Sequence, residues 1–285
     1  MTRRLLLALI AVLTLGAATA GIVGAQEEEA PTPTLEATLS PTRVTVGSGT
    51  AVVAAGVTRL EFRNSSRRAP AEATLVALKD GVTLARFRRA LRTAQRGPAP
   101  LKSVATFEAG GSLAPGGRYV TTVALKPDTT YVVGNVTDNP TTSPLDTFQT
   151  GQTPGSGTRP QPDATVELYD YAFGMPETLP RNGTVRFENQ GERLHIAVAF
   201  PVRRGQSRVA AVRAFLTNNE RRANRLTDSR RSTEPLGIVS GETTNDVEVR
   251  FPRAGDWLFV CFIGDGEKGN PSHNTLGMVK AFRVR

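Results

Sequence analysis

VEVRFPRAGDWLFVCFIGDGEKGNPSHNTLGMVKAFRV, residues 247–284, carries three strand signals and one loop. VEVRF (247–251) alternates apolar and polar side chains, as a half-buried strand does. DWLFVCFI (256–263) is apolar after its first residue, the pattern of a strand covered on both faces. MVKAFRV (278–284) alternates again. The loop between the last two runs is rich in Gly, Pro and Asn, which punctuate strands rather than continue them. Short strands of this kind, closed by turns, predict a β-sandwich.

Working outward, the same order of segments occurs twice at an offset near 126. GVTRLEFRNSS (56–66) matches NGTVRFENQG (182–191), and ATLVALKDG (73–81) matches IAVAFPVRRG (196–205). VTLARFRRALRTAQRG (82–97) matches QSRVAAVRAFLTNNERR (206–222). LAPGGRYVTTVALKPDTTYVVGN (113–135) matches VSGETTNDVEVRFPRAGDWLFVC (239–261). One helix is expected in each copy. Leu84, Phe87 and Leu91 share a face in the first, Val209, Val212 and Phe215/Leu216 in the second, with arginines opposite. The expected fold class is all-β: two tandem Greek-key β-sandwiches, each with one inserted helix.

The N-terminus sets the boundaries. Arg3 and Arg4 precede an uncharged run from Leu5 to Ala25, the pattern of a secretory signal peptide at 1–25. An acidic, Pro/Thr-rich disordered tether is expected at 26–40 and a Gly/Pro/Thr linker at 149–162. Between and after them lie two domains, 41–148 and 163–285. The expected location is exported: periplasmic, cell-surface or extracellular, and membrane-tethered if the N-terminal run stays in the bilayer.

The formal net charge is +9 over 285 residues. Residues 203–231 carry nine Arg against Glu220 and Asp228, and residues 86–96 carry five Arg and no acid. For an exported chain this predicts an acidic redox partner or an anionic cell envelope, and not nucleic acid.

Scarce residues mark the site. Cys261 is the only cysteine, so it forms no disulfide within the chain. His195 and His273 are the only histidines, and Met278 is one of three methionines. All four fall in the second copy. A thiolate and two imidazoles in a plane, with a weak thioether above, form a copper electron-transfer site, whereas a structural zinc site rarely recruits Met.

At these residues the chain resembles the cupredoxins, the blue-copper family of plastocyanin, azurin and pseudoazurin. NQGERLH supplies an early His after an Asn/Gly-rich turn, and C…PSHNTLGM supplies Cys, His and Met before the last strand. The resemblance covers about 163–285. It implies a cupredoxin-like sandwich with His195, Cys261, His273 and Met278 as ligands of one type 1 copper ion, Met278 being axial. Met175 is a weaker axial candidate. Two departures stand out: eleven residues separate Cys261 from His273, and Ile196 follows the first His where many cupredoxins place a polar residue. The first copy is expected to be a degenerate cupredoxin-like repeat. Ala71 or Glu72 aligns with His195 and Asn135 with Cys261, and 41–148 contains no His, Cys or Met.

The resemblance implies outer-sphere transfer of single electrons between redox partners. The exit would be an exposed edge of His273, amid a patch of Pro271, Leu276 and Gly277. Multicopper oxidases and nitrite reductases share the fold but need further histidines, so the sequence predicts no enzyme. The alternative is a non-redox binding module, either for copper storage or delivery or as an adhesin-like sandwich with a vestigial site.

Overall fold

The computed structural model describes residues 32–47, 52–94, 99–135, 142–229, 233–264 and 271–285. The expected signal peptide lies outside the described residues.

The first repeat runs β1 (Thr34–Leu39), β2 (Val44–Val46), β3 (Val53–Asn64), β4 (Ala71–Leu78), α1 (Leu84–Thr93), α2 (Ala99–Lys102), β5 (Ala105–Leu113), β6 (Arg118–Leu125), β7 (Thr130–Asn135) and β8 (Leu145–Pro154). The second runs β9 (Ala164–Tyr169), β10 (Ala172–Gly174), β11 (Thr178–Leu179), β12 (Asn182–Asn189), β13 (His195–Pro201), α3 (Arg208–Leu216), α4 (Glu220–Leu226), β14 (Thr233–Val239), β15 (Thr244–Arg250), β16 (Gly255–Val260) and β17 (Val279–Val284). The fold is all-β, a β-sandwich in each repeat.

The pairing scheme recurs. β1 lies parallel to β3 as β9 does to β12, and β3 pairs with β6 as β12 does with β15. β4 sits between β5 and β7 as β13 sits between β14 and β16, and β8 closes on β7 as β17 does on β16. Each helical insert continues into a second, shorter helix, α2 and α4.

β16 behaves as its apolar run requires. It lies inside a five-stranded sheet ordered β11-β17-β16-β13-β14. Trp257, Phe259 and Cys261 face the main core, with Phe251 and Phe282 against the first two rings, while Leu258 and Val260 face the layer under α3. Each such buried side chain contributes on the order of 1.5–3 kcal/mol.

Three expectations need correction. The tether was expected to be disordered over 26–40, yet Thr34–Leu39 is β1, because Leu35, Ala37 and Leu39 alternate and extend the sheet on the edge of β3. The linker was expected at 149–162, yet β8 extends to Pro154 and the Thr150 hydroxyl donates to the Lys126 carbonyl at 2.7 Å. The expected apolar face of α3 holds only in part: Phe215 is buried and Val212 half-buried as expected, but Val209 is 78% exposed, and Ala211 and Ala214 are buried with them. Small alanines let this helix approach the sheet closely.

The repeats are joined by more than a linker. β15 pairs with β6 through Asp246↔Thr122 and Val247↔Thr121, joining four strands of the second repeat to all eight of the first in a twelve-stranded sheet. Beside this seam Phe107 and Ser240 clasp: the Phe107 N–H donates to Ser240 Oγ and the Ser240 N–H to the Phe107 carbonyl, both at 2.9 Å. Asp246 is buried there between Arg159 (2.9 Å) and Arg186 (2.6 Å).

Candidate metal centre

Local sequence builds one end of the second repeat. The turn NQGERL is closed by Asn189, whose Nδ2 donates to the carbonyls of Arg193 (2.7 Å) and Val239 (2.9 Å) and whose Oδ1 accepts from the Gly191 N–H (2.9 Å). Gly191 is required there, because a Cβ would sit 2.9 Å from the Asp170 amide nitrogen and against its carboxylate. The closed turn delivers His195 to the first position of β13.

Cys261 follows β16 directly. A 310 turn, His273–Leu276, brings the second histidine back over it. The loop ends are fastened by backbone: the Asn274 N–H donates to the Cys261 carbonyl (2.8 Å), the His273 N–H to Ile263 (2.9 Å), and the Cys261 N–H to Met278 (3.2 Å). Gly277 ends the turn at φ 125°, where a Cβ would come within 3.1 Å of the Tyr171 carbonyl.

Three donor atoms converge. His195 Nδ1 and His273 Nδ1 are 3.1 Å apart, and Cys261 Sγ lies 4.0 Å from the former and 3.5 Å from the latter. All three residues are buried. The three edges put an equidistant point about 2.1 Å from each atom, close to the roughly 2.0–2.3 Å of imidazole and thiolate bonds to a first-row metal. The donor set and its spacing therefore fit a metal ion. Met278 is buried beside Cys261 in the same core, and Met175 is partly buried against that core.

Outside the triangle stands a residue that sequence reading missed. Asp170, in the turn after β9, lies 3.2 Å from His195 Nε2. Its carboxylate also accepts the N–H groups of Arg193 (3.3 Å) and Glu192 (3.5 Å). A carboxylate on the far ring nitrogen fixes the tautomer, so His195 turns the lone pair of Nδ1 inward. Burial pushes the Asp170 carboxyl up, but the bonds from His195, Glu192 and Arg193 outweigh it and hold the group below the usual range. Burial holds His195 below the ordinary imidazole value, against the pull of Asp170, which keeps it neutral.

Cys261 is the opposite case. Burial pushes its thiol up to about 11, although the backbone N–H groups of Ile196 and Ile263 favour the thiolate. The Ile196 N–H reaches Sγ at 3.4 Å, so this position contributes its backbone where a polar side chain had been sought.

His273 corrects the expected exit. Its edge was expected to be exposed, but the residue is only 1% exposed. Tyr171 stands edge-on to its ring at 5.2 Å. His273 lines a cavity of about 640 Å³ whose opposite wall belongs to the first repeat: Lys79, Leu101, Lys102 and Phe107.

No protein-family model matches the chain, and no curated protein does. Similar solved structures include auracyanin B, at 22% identity over 45% of this chain and 93% of that one, with a TM-score of 0.27. Auracyanin A, a "blue" copper protein from Chloroflexus aurantiacus, is 19% identical over 42% and 96%, with a TM-score of 0.25. A multicopper oxidase is 14% identical over 88% of both chains, with a TM-score of 0.23. At these values the likenesses assign no activity. The expectation that no enzyme is encoded is nevertheless withdrawn, because multicopper oxidases and a copper-containing nitrite reductase stand among the similar structures beside the auracyanins.

Proposed function

We propose that the second repeat holds one copper ion through His195, Cys261 and His273, with Met278 as the axial ligand, and passes single electrons between redox partners outside the cell. The observation that carries this reading is the buried triangle of Nδ1, Nδ1 and Sγ with edges of 3.1–4.0 Å. Copper would supply a one-electron couple, which a thiolate and two imidazoles suit in both oxidation states. Asp170 orients His195, Ile196 donates to the sulfur, and the close-packed core resists movement as charge changes. The first repeat acts as scaffold. An acidic carrier or an anionic envelope would meet the arginines of the helices. Among the described residues no helix is long and apolar enough to cross a membrane.

The test is to add Cu(II) to the purified full chain and record visible and EPR spectra. An intense thiolate-to-copper band, lost in Cys261→Ser, is expected. Tight Cu(I) binding without colour would replace the reading with storage or delivery, and absence of binding would leave a non-metal module.

A further inference from the structure

Among the described residues two routes lead from the donor triangle to solvent, and the structure treats them differently. The His273 route ends in the cavity between the repeats. At about 640 Å³ it is the size of a small-molecule pocket, not of a protein docking face. The other route starts at Cys261. Its neighbour Phe262 is 42% exposed. The Phe262 ring packs on Phe200 (5.8 Å) and Phe215 (6.0 Å), which lie 5.1 Å from each other. Phe215 belongs to α3, and Asn274, next to His273, donates Nδ2 to its carbonyl at 2.7 Å. Two residues on, Leu276 is 40% exposed.

Phe262 and Leu276 are thus exposed apolar side chains, one from each ligand segment, and both segments are tied to Phe215 of α3. The helical insert that carries Phe215 is basic: residues 208–226 carry exposed Arg208, Arg213, Arg221, Arg222 and Arg225 against the single acid Glu220. An apolar centre set in like charges suits a partner of opposite charge, where electrostatics speeds encounter and apolar contact holds the pair.

We propose that this face, Phe262 and Leu276 among the arginines of α3 and α4, docks an acidic one-electron carrier protein. It rests on the copper reading above. One electron crosses by way of Cys261 and Phe262, the partner's centre being reduced as this one is oxidised, or the reverse, and no proton or atom is transferred.

Two measurements test it. The metal-free, ¹⁵N-labelled full chain is titrated at low salt with hexacyanochromate(III), a redox-inert paramagnetic trianion that stands in for the partner's charge. Broadening is expected at 208–226, 262 and 276, and is lost in the R213E/R221E/R222E variant, whose changes lie on exposed positions and leave the core intact. Broadening centred instead on Arg86–Arg92 of α1 or on Lys79 and Lys102 overturns the proposal, as does none at all. Because no copper is present, this result is independent of whether the blue site forms.

With the copper-loaded chain, reduction by a plant-type ferredoxin, an acidic carrier, is expected to slow at least about tenfold in the same variant at low salt, and to lose its salt dependence. An unchanged rate overturns the proposal. So does tight binding of the chain to phosphatidylglycerol vesicles through Phe262 with no effect on the ferredoxin reaction, which would assign the face to a membrane surface.

Discussion

The two repeats place different chemistry on one backbone. His195 opens β13 opposite Val239, and Ala71 opens β4 opposite Leu113. The Ile196 N–H donates to Cys261 Sγ (3.4 Å), and the Glu72 N–H donates to Asn135 Oδ1 (2.8 Å). The Cys261 N–H bonds to the Met278 carbonyl, and the Asn135 N–H to Pro144 (3.0 Å). Asp170 stands two residues after Leu168, which pairs with Asn189, and Pro41 stands two after Leu39, which pairs with Asn64. Even the turn-closing amide recurs, since Asn64 Nδ2 donates to the Ala69 carbonyl (2.9 Å) as Asn189 does to Arg193. The frame therefore owes nothing to a metal. In the first repeat an amide closes it, with Asn135 Nδ2 also donating to Ser40 (2.9 Å). In the second a handful of side chains turns the same pocket into a triangle of donor atoms that fits a metal ion.

The sharpest break is to give the second repeat the first one's residue. Cys261→Asn should abolish the thiolate-to-copper band while the far-UV circular dichroism stays that of the parent. A surviving band would end the comparison. The reciprocal disturbance, Asn135→Ala, removes the partner of the part-buried Glu72 N–H and Ser40 carbonyl. It should cost about 1–3 kcal/mol by urea denaturation, because part-buried groups keep some access to water and each loses less than a fully buried one. An unmoved midpoint would show that the amide is not what closes the first pocket.

Asp170→Ala should weaken copper binding about 10–100-fold, the usual range for a lost partner of a ligating histidine, with Asp170→Asn recovering part of it because an amide oxygen still accepts. Equal affinity in all three proteins would remove Asp170 from the site. Acidity gives a further handle. The metal-free thiol, pushed to about 11, keeps its proton at neutral pH, and ligation releases it. His195 stays neutral there, so apparent affinity should rise about tenfold per pH unit between about pH 7 and 9. A flat profile in competition titrations would mean that the thiolate is already present. The smallest effect is expected at the position matching Pro144: Met278→Leu should keep copper bound and shift the reduction potential upward in voltammetry. No shift would reassign the axial place, with Met175 next to examine.

Much of this was legible because it was rare. One cysteine and two histidines in 285 residues leave few ways to compose a ligand set, and the uninterrupted run around Trp257 could only be an inner strand. Asp170 was not legible. It is one of 26 acidic residues, and its role arises from a tight turn that ends under His195. β1 was hidden by the prolines and threonines around its short alternation. The pairing of β6 with β15 was invisible for another reason, because alternation tells which face of a strand is buried and not which edge will find a neighbour. The burial of His273 was not legible either, because Tyr171, which stands edge-on to its ring, comes from the turn after β9, about a hundred residues earlier.

The seam at Asp246, with the clasp of Phe107 and Ser240, has a thermodynamic corollary. Two bodies that share a sheet and a core have no independent way to melt, so heating should give a single endotherm rather than one for each half. An ion gripped at one end would then raise the melting temperature of strands lying far from it, including those of the half that owns no ligand.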